Sequence, residues 1–287
     1  MGNSDFILRP IQPGDIKYAM KLSNGEGWNQ IEWDWNFLIE NPENVSMLAE
    51  FRRKIIGTTT AINYANQVTW IGMVLVDKEY RGQGVSKLLI TNILKKLEHC
   101  KSIKLDATPL GEQVYKKFDF KPEYLITRMV NPSMKNLATD DDEGLIEPIQ
   151  SNYIQEIIAL DEMVFGANRM KLINSIVNQY SSNGWLLNRN NRVSGFVLGR
   201  DGYKYHHIGP VEASNIIDAK ILITKALKGL VGQPVVMDVL SDKEDLLQWL
   251  NAIGFIKQRD FVRMYRKENP FPGIIDKHYS ICGPEFG

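Results

Sequence analysis

The sequence of 287 residues has little cysteine, no excess of either charge and no long apolar run. Its two cysteines, Cys100 and Cys282, form no disulfide framework, which favours a reducing compartment. Lys and Arg number 34, as do Asp and Glu, so no overall field favours nucleic acid or an anionic membrane. The first ten residues lack a basic segment followed by an apolar one. We therefore expect a cytoplasmic protein with no nucleic-acid or membrane partner.

Composition and length describe an ordinary globular protein with room for two domains. Hydrophobic residues make up 44% of the chain and charged residues 24%, as in folded proteins with a buried core. At 287 residues the chain exceeds one typical domain, and each half is long enough to bury a core of its own.

The most informative stretch, residues 69–97, is predicted to form a strand, a glycine loop and a helix. The apolar run 71–76 is short and rich in β-branched residues. It is interrupted by residues 77–84, which carry charged side chains and two glycines. From Val85 apolar residues recur every fourth position, which predicts an amphipathic helix. A helix that begins directly after residues 81–84 (Arg-Gly-Gln-Gly) presents unpaired backbone N–H groups and the positive end of its dipole. The loop is therefore a candidate anion site, and phosphate is the usual anion.

The rest of the first half is predicted to alternate short strands and helices. The predicted order is β-α-α-β-β-β-α-β-α-β, with strands at 6–9, 45–51, 55–64, 71–76, 103–107 and 123–130 and helices at 15–22, 33–39, 85–97 and 112–118. Residues 140–144 (Asp-Asp-Asp-Glu-Gly) predict a solvated linker, because a polar run of like charge buries no apolar surface.

Two motifs carry a resemblance to a known family. The β-rich strand, Arg-Gly-x-Gly, the small residue Ser86 and the paired leucines resemble motif A of the GNAT N-acetyltransferase superfamily. Residues 106–109 (Asp-Ala-Thr-Pro) with 114–120 (Val-Tyr-Lys-Lys-Phe-Asp-Phe) resemble its later motif, in which a helical tyrosine lies near the cofactor sulfur. Tyr115 matches that tyrosine, and Asp119 replaces a usual glycine at a turn that Asp also occupies. The resemblance implies an α/β (α+β) fold whose mixed, twisted sheet splays around acetyl-coenzyme A.

The second half of the sequence repeats the first. Residues 86–97 return as residues 219–230 at an offset of 133, with seven of twelve positions identical. A period this long indicates two copies of a domain rather than a solenoid of small repeats. We therefore predict two tandem GNAT-fold domains, each a twisted mixed β-sheet flanked by helices, at 1–132 and 149–287, with a linker at 133–148.

The two copies differ where the chemistry is expected. The same offset places residues 214–217 (Ser-Asn-Ile-Ile) over the glycine loop, and side chains there keep a diphosphate away from the backbone amides. At the neighbouring offset that aligns the later motif, Leu250 replaces Tyr115. The second domain is thus predicted to be a degenerate copy that lacks the pyrophosphate loop, which leaves one active site in the chain.

The resemblance also implies residues for acetyl-coenzyme A. Loop amides hold the pyrophosphate, the Arg81 side chain adds a charge-assisted contact, and the backbone of the motif strand aligns the pantetheine arm. Tyr115, neutral at working pH, is expected to be the general acid that protonates the departing thiolate, and its alternative role is core packing. No metal is expected, and the expected cofactor-binding residues are Val74, Leu75, Val76, Arg81, Gly82, Gln83, Gly84, Val85 and Ser86.

The sequence leaves the general base open. The motif strand carries no carboxylate, since residues 70–75 are apolar or glycine. Glu26 and Asp34 flank the loop and helix expected to border the acceptor and are the candidates, whereas an amine that arrives neutral needs no base. Asp106 ends a strand beside the expected site, but Asp238 holds the same place in the second copy, which favours a structural hydrogen bond for both.

Trp28 and Asn29, in a polar loop before the second helix, are the expected substrate contacts. His206 and His207 are neighbours in a predicted strand and point to opposite faces, so they do not predict a metal site. We expect acetyl-coenzyme A-dependent transfer of an acetyl group directly to a primary amine of a small molecule or peptide. The alternative is a non-catalytic acetyl-coenzyme A sensor or scaffold, and the presence of both the glycine loop and Tyr115 favours the enzyme.

Overall fold

The structure, a computed structural model, describes residues 6–137, 145–190 and 192–287. The acidic run 140–144, predicted as a linker, therefore lies outside the described residues. The predicted element order of the first half is confirmed. Its strands are β1 (Ile7–Pro10), β2 (Val45–Phe51), β3 (Lys54–Tyr64), β4 (Val68–Val76), β5 (Ser102–Ala107) and β6 (Lys121–Asn131), and its helices are α1 (Ile16–Gly25), α2 (Glu32–Glu40), α3 (Val85–Lys96) and α4 (Pro109–Lys116).

The second half has the same order of elements followed by one further strand, so the sequence repeat is a structural repeat. Its strands are β7 (Ile146–Pro148), β8 (Trp185–Arg189), β9 (Arg192–Arg200), β10 (His206–Ala213), β11 (Val235–Leu240), β12 (Ile256–Lys267) and β13 (His278–Ser280). Its helices are α5 (Ile154–Phe165), α6 (Met170–Gln179), α7 (Ile216–Lys228) and α8 (Glu244–Ala252). The domain limits at 132 and 149 stay a prediction.

Helix α4 begins three residues earlier than its sequence pattern predicts. The Thr108 hydroxyl accepts a hydrogen bond from the Gly111 amide at 3.1 Å, and Pro109 occupies the first helical position, where its missing N–H costs nothing. This cap fixes the direction in which α4 leaves the sheet, and with it the position of Tyr115.

The thirteen strands of the described residues form one continuous sheet, in the order β1-β2-β3-β4-β5-β12-β6-β11-β13-β10-β9-β8-β7. The two halves exchange strands at its centre. Strand β12, from the second half, lies between β5 and β6 of the first half, while β6 lies between β12 and β11 of the second half. The sequence predicts two sheets, whereas the structure joins them through this exchange.

Two buried ion pairs repeat each other across the exchanged strands. Asp106 on β5 accepts two hydrogen bonds from Arg263 on β12, both at 2.9 Å. Asp238 on β11 accepts two from Arg128 on β6, both at 2.7 Å. Each carboxylate therefore holds the strand that the other half contributes, which is the structural role that the repeat predicted for Asp106 and Asp238.

The hydrophobic core is continuous between the halves. One cluster contains Trp35 and Trp70 from the first half, Phe165 and Leu172 from the second, and Phe286 from the segment after β13. Because these side chains are buried against one another, neither half completes its core alone. No helix within the described parts of the chain combines the length and apolarity that a membrane span requires.

Candidate active site

Strands β4 and β5 diverge and open a cleft in the first half of the sheet. The two parallel strands are paired only through Val68–Trp70 on β4 and Ser102–Lys104 on β5. Beyond that point Met73 has a positive φ of 50°, and the register between β3 and β4 shifts there, as at a β-bulge. The bulge bends β4 away from β5, and the strand edge from residue 72 to residue 76 faces the opening.

The glycine loop lies at the wide end of the cleft. Gly82 and Gly84 have φ values of 74° and 85°, a left-handed conformation that side chains other than glycine strain to adopt. A Cβ atom on Gly82 would meet no atom within 4 Å, so the backbone there is open to a ligand. Gly84 is the N-cap of α3, and no side chain caps that helix terminus. The loop therefore has the conformation and the free N–H groups of an anion site.

Three side chains connect the loop to its surroundings. Arg81 donates from Nε to the backbone oxygen of Val76 at 3.2 Å, and its Nη2 lies 2.6 Å from Glu26 Oε1. Lys78 Nζ lies 3.7 Å from the same Glu26 oxygen. Gln83 donates to the backbone oxygen of Glu79 at 3.1 Å. The Glu26 carboxylate thus lies among the cations of the loop.

A groove over the loop continues into a deeper cavity of about 230 Å³. The groove contains most of the expected cofactor residues, namely Val74, Leu75, Val76, Arg81, Gly82, Gly84, Val85 and Ser86, together with Glu26. Five residues line both the groove and the cavity, namely Trp28, Val74, Ser86, Gly111 and Val114. The cavity is also lined by Gly72, Asp106, Tyr115, Arg128, Arg259 and Glu285. One continuous depression therefore runs from the glycine loop to Tyr115.

Tyr115 lies half-buried on α4 at the inner part of this depression. Its ring packs edge-on against Phe120, with centroids 5.7 Å apart. Burial raises the pKa of Tyr115 above its ordinary value near 10, so the phenol holds its proton at neutral pH. Gly111 lies one helical turn before it, and a Cβ there would be 3.3 Å from the ring. Glycine thus leaves room for Tyr115 beside the cavity.

The two acidic residues predicted as candidate bases occupy different places. Glu26 lines the groove beside Arg81, at the loop rather than at Tyr115. Asp34 is fully buried and is not among the residues that line the cavity. Its Oδ2 accepts a hydrogen bond from the Ile31 amide at 2.7 Å, and its Oδ1 accepts one from Arg200 Nη1 at 2.8 Å. Burial, opposed by Arg200 and assisted by the nearby Glu285 charge, raises the pKa of Asp34 to about 7.

Of the two expected substrate contacts, the structure places only Trp28 at the cavity. Asn29 is buried and binds the second half instead, since its Oδ1 accepts the amides of Lys204 and Tyr205 at 2.9 Å. Its neighbour Gln30, which the sequence analysis did not select, lines the cavity, and its buried Oε1 has no hydrogen-bond partner within the described residues. An acceptor in that state suits a ligand N–H group.

Glu285 is the other residue that sequence reasoning missed. It lies more than 150 residues beyond the first-half residues of the site, in the segment that follows β13, which we call the 281–287 segment. The one local signal is Gly72 in the interior of β4, because glycine in a strand marks a close backbone approach. A Cβ on Gly72 would lie 3.2 Å from both Cα and O of Glu285.

The equivalent cleft of the second half is filled by the chain itself. Strand β13 lies between β10 and β11, where it pairs antiparallel with Val211 and Glu212 of β10 and Val239 of β11. Val211 and Glu212 correspond in the repeat to Val74 and Leu75. The N-terminus of α7 is also occupied, because the Asn215 side chain accepts the Asp218 amide there. The second half therefore has neither the open strand edge nor the free helix terminus.

Both halves of the chain have counterparts in known proteins. Profiles of the acetyltransferase (GNAT) domain match residues 29–129 and residues 157–280. The chain is 27% identical over 235 residues to holothin acyltransferase of Pseudoalteromonas sp. (strain SANK 73390), covering 81% of this chain and 78% of that protein. It is 24% identical over 205 residues to the uncharacterized N-acetyltransferase YitH of Bacillus subtilis (strain 168), covering 71% and 72%.

A solved structure of a putative acetyltransferase from Pyrococcus horikoshii superposes on the whole chain with a TM-score of 0.83. It covers 100% of this chain and 98% of its own, at 20% sequence identity. At that identity the likeness shows the fold, which in both proteins extends over the whole chain and includes both domains.

Proposed function

Because this chain belongs to the GNAT acetyltransferases, with two such domains in tandem, we propose that its first domain transfers an acetyl group from acetyl-coenzyme A directly to a primary amine. The observation that carries the proposal is the continuous depression from the glycine loop to Tyr115. An anion site at one end and a protonated phenol at the other match the two ends of a coenzyme A thioester. The second domain, whose cleft holds β13, is proposed to have no cofactor site.

The residues present fit the cofactor. The open backbone at Gly82 and the uncapped N-terminus of α3 suit a diphosphate, and Arg81 supplies a cation beside them. The unpaired edge of β4 from residue 72 to residue 76 suits an extended pantetheine arm, which hydrogen-bonds as an added strand does. When bound, the thioester would supply an acetyl group already activated for transfer. Catalysis here is mainly orientation of two reactants in one water-poor cleft.

Tyr115 is proposed to donate its proton to the thiolate that leaves. A thiolate is a weaker base than a tyrosinate, by about 1.5 pKa units between their ordinary values, so transfer is helped by a site that shields the sulfur from water and holds the phenol against it. The acceptor is proposed to enter on the side of Trp28 and Gln30, with the free Gln30 Oε1 accepting an amine N–H. A small molecule or the amino group of a peptide both present this chemistry.

The proposal is tested by release of free thiol from acetyl-coenzyme A across a panel of amines that includes polyamines, amino sugars, amino acids and short peptides. Longer acyl donors form a second arm, because one relative is named an acyltransferase rather than an acetyltransferase. Amine-dependent thiol release with a matching acetylated product is the expected result. A protein that acetyl-coenzyme A stabilises against heat, yet that acetylates no amine, would instead be the sensor or scaffold.

A further inference from the structure

Only two carboxylate residues within the described chain line the cavity, Asp106 and Glu285. Asp106 has both oxygens engaged by Arg263 at 2.9 Å and holds β12 in the sheet. Glu285 accepts one hydrogen bond, from Arg200 Nη2 to Oε1, and no group in the described residues donates to its Oε2. A general base needs a lone pair that no other donor engages, and of the two carboxylates that line the cavity only Glu285 has one.

The 281–287 segment is hydrogen-bonded to the first domain at the residues directly before and after Glu285. The indole N–H of Trp70 on β4 donates to the backbone oxygen of Pro284 at 2.9 Å, and the Tyr64 hydroxyl donates to that of Phe286 at 2.7 Å. Both donors belong to the first domain and are buried. Phe286 is itself fully buried among aromatic rings of that domain. The segment is therefore part of the first domain's active-site wall, although its sequence belongs to the second.

Gly72 makes this placement possible. A Cβ at position 72 would lie only 3.2 Å from the backbone of Glu285, so a side chain there would push the segment away by a few tenths of an ångström. The strand that borders the thioester thus carries no carboxylate of its own at that point, and a carboxylate from the 281–287 segment lies against it instead.

A chain of buried charges orients Glu285. Arg200 on β9 donates to Glu285 through Nη2 and to Asp34 on α2 through Nη1, so it joins the two carboxylates. All three side chains are almost completely buried, and such pairs keep a defined geometry because an unpaired charge there is costly. Arg200 and Asp34 act through Glu285 and are positioning residues.

We propose that Glu285 is the general base of the first domain, and that the second domain's filled cleft serves to deliver it. Strand β13 anchors in the cleft between β10 and β11, Ile281 N–H donates to Asp238 O at 2.9 Å, and the chain then crosses to β4. The degenerate domain therefore contributes a catalytic residue to the working one. This inference rests on the proposed acetyl transfer.

The proton balance of the step is as follows. Glu285 takes one proton from the acceptor ammonium, directly or through one water, and releases it later to solvent. The neutral amine nitrogen forms a bond to the thioester carbonyl carbon as the carbon–sulfur bond breaks. Tyr115 protonates the sulfur, and the proton that the new amide nitrogen sheds restores the phenol through solvent. The sum is amide, free thiol and one proton.

The test compares Glu285→Gln with Asp34→Asn in the full chain, by thiol release with an amine that the wild type acetylates. Glutamine keeps the shape and accepts from Arg200 but takes no proton. We expect Glu285→Gln to lower kcat about 100-fold or more at pH 7, with partial recovery at high pH where the amine arrives neutral. Affinity for acetyl-coenzyme A should not change. Asp34→Asn should cause a much smaller loss without that recovery.

A second variant guards against a folding defect. Glu285→Ala leaves space beside Arg200, where the carboxylate was, and added formate should restore activity if a carboxylate is all that is missing. Equal kcat in wild type and Glu285→Gln, or a loss that neither high pH nor formate reverses, would overturn the base role. A wild type that acetylates no amine would instead overturn the acetyl transfer and this inference together, so the two failures are distinguished.

Discussion

The cleft between β4 and β5 and the cleft between β10 and β11 are equivalent features of the two domains, but the first is open and the second is filled by β13. In the first, the bulge at Met73 and the glycine loop leave a strand edge and a helix terminus free. In the second, β13 pairs with the strand edge and Asn215 caps the helix. Ser280 Oγ lies 3.2 Å from the backbone oxygens of both Ile208 and Asp238, at the middle of the filled cleft.

The second cleft has lost its binding site because other parts of the same chain satisfy the backbone donors and acceptors that a ligand would use. Free backbone groups in a buried cleft require a partner, and an internal strand supplies one permanently. The copy that keeps them free must receive its partner from a ligand.

The largest expected effect comes from breaking the paired ion pairs on which both clefts depend. Asp106→Asn and Asp238→Asn should each lower the free energy of unfolding by about 3–5 kcal/mol, because each leaves a buried arginine without its charge partner. Urea unfolding checks this. The two variants should lose similar amounts of stability, and their kcat values should differ little. A specific collapse of kcat in Asp106→Asn, beyond that in Asp238→Asn, would make Asp106 part of the chemistry instead.

Removal of the phenol from the working domain should have the next largest effect. Tyr115→Phe keeps the ring against Phe120 but removes the proton donor, so kcat should fall about 100-fold or more while acetyl-coenzyme A affinity stays the same. Steady-state kinetics and calorimetry measure the two quantities. Tyr18→Phe, at an exposed tyrosine, is the matched control. Wild-type turnover in Tyr115→Phe would mean that the tyrosine only packs.

A smaller effect is expected from the glycine loop. Gly82→Val should weaken acetyl-coenzyme A binding about 10- to 100-fold, since a side chain at a φ of 74° strains the loop by about 1–3 kcal/mol and blocks approach to the amides. Gly232→Val is the matched control, because Gly232 has a φ of 80° and equally open space but lies just after α7 of the filled domain. Equal losses of binding in both variants would show that strain, not the loop, is responsible.

The smallest expected effect is a net pH dependence of stability. Burial raises the pKa of Asp34 to about 7 and that of Glu212, which lies in the filled cleft beside Asp161 and Arg169, well above its ordinary value. Each folded-state acid keeps a proton that the unfolded chain loses near pH 4, so their stabilisation is complete below pH 4 and is lost as pH rises through neutrality. His207 and His278, whose pKa values burial lowers, oppose this trend below about pH 6.5, because the unfolded chain binds protons there that the folded histidines do not.

Between pH 5 and pH 8, the stability measured by urea unfolding should therefore change more unfavourably in the wild type than in a variant that lacks the Glu212 carboxyl. Glu212→Gln should flatten the profile, because glutamine has no proton to lose. A profile that is unchanged in this variant would place the titrating group elsewhere.

Much of the molecule follows from the sequence because it depends on residues close together in the chain. The order of the first ten elements, the loop at 81–84, Tyr115 on its helix and the loss of the loop in the repeat all follow from periodicity, glycine and short motifs. Even the structural role of Asp106 was predictable, from its copy at Asp238.

What only the tertiary structure decided depends on contacts between residues far apart in the chain. The exchange of β6 and β12, the insertion of β13 into the second cleft and the place of Glu285 against Gly72 join positions with no shared local pattern. Asn29 likewise lies in a polar, glycine-bearing loop, yet its side chain accepts a hydrogen bond from a backbone amide 175 residues away. Local propensity determines which strands form. Which strand edge each one satisfies depends on the edges left unpaired when the whole sheet is assembled.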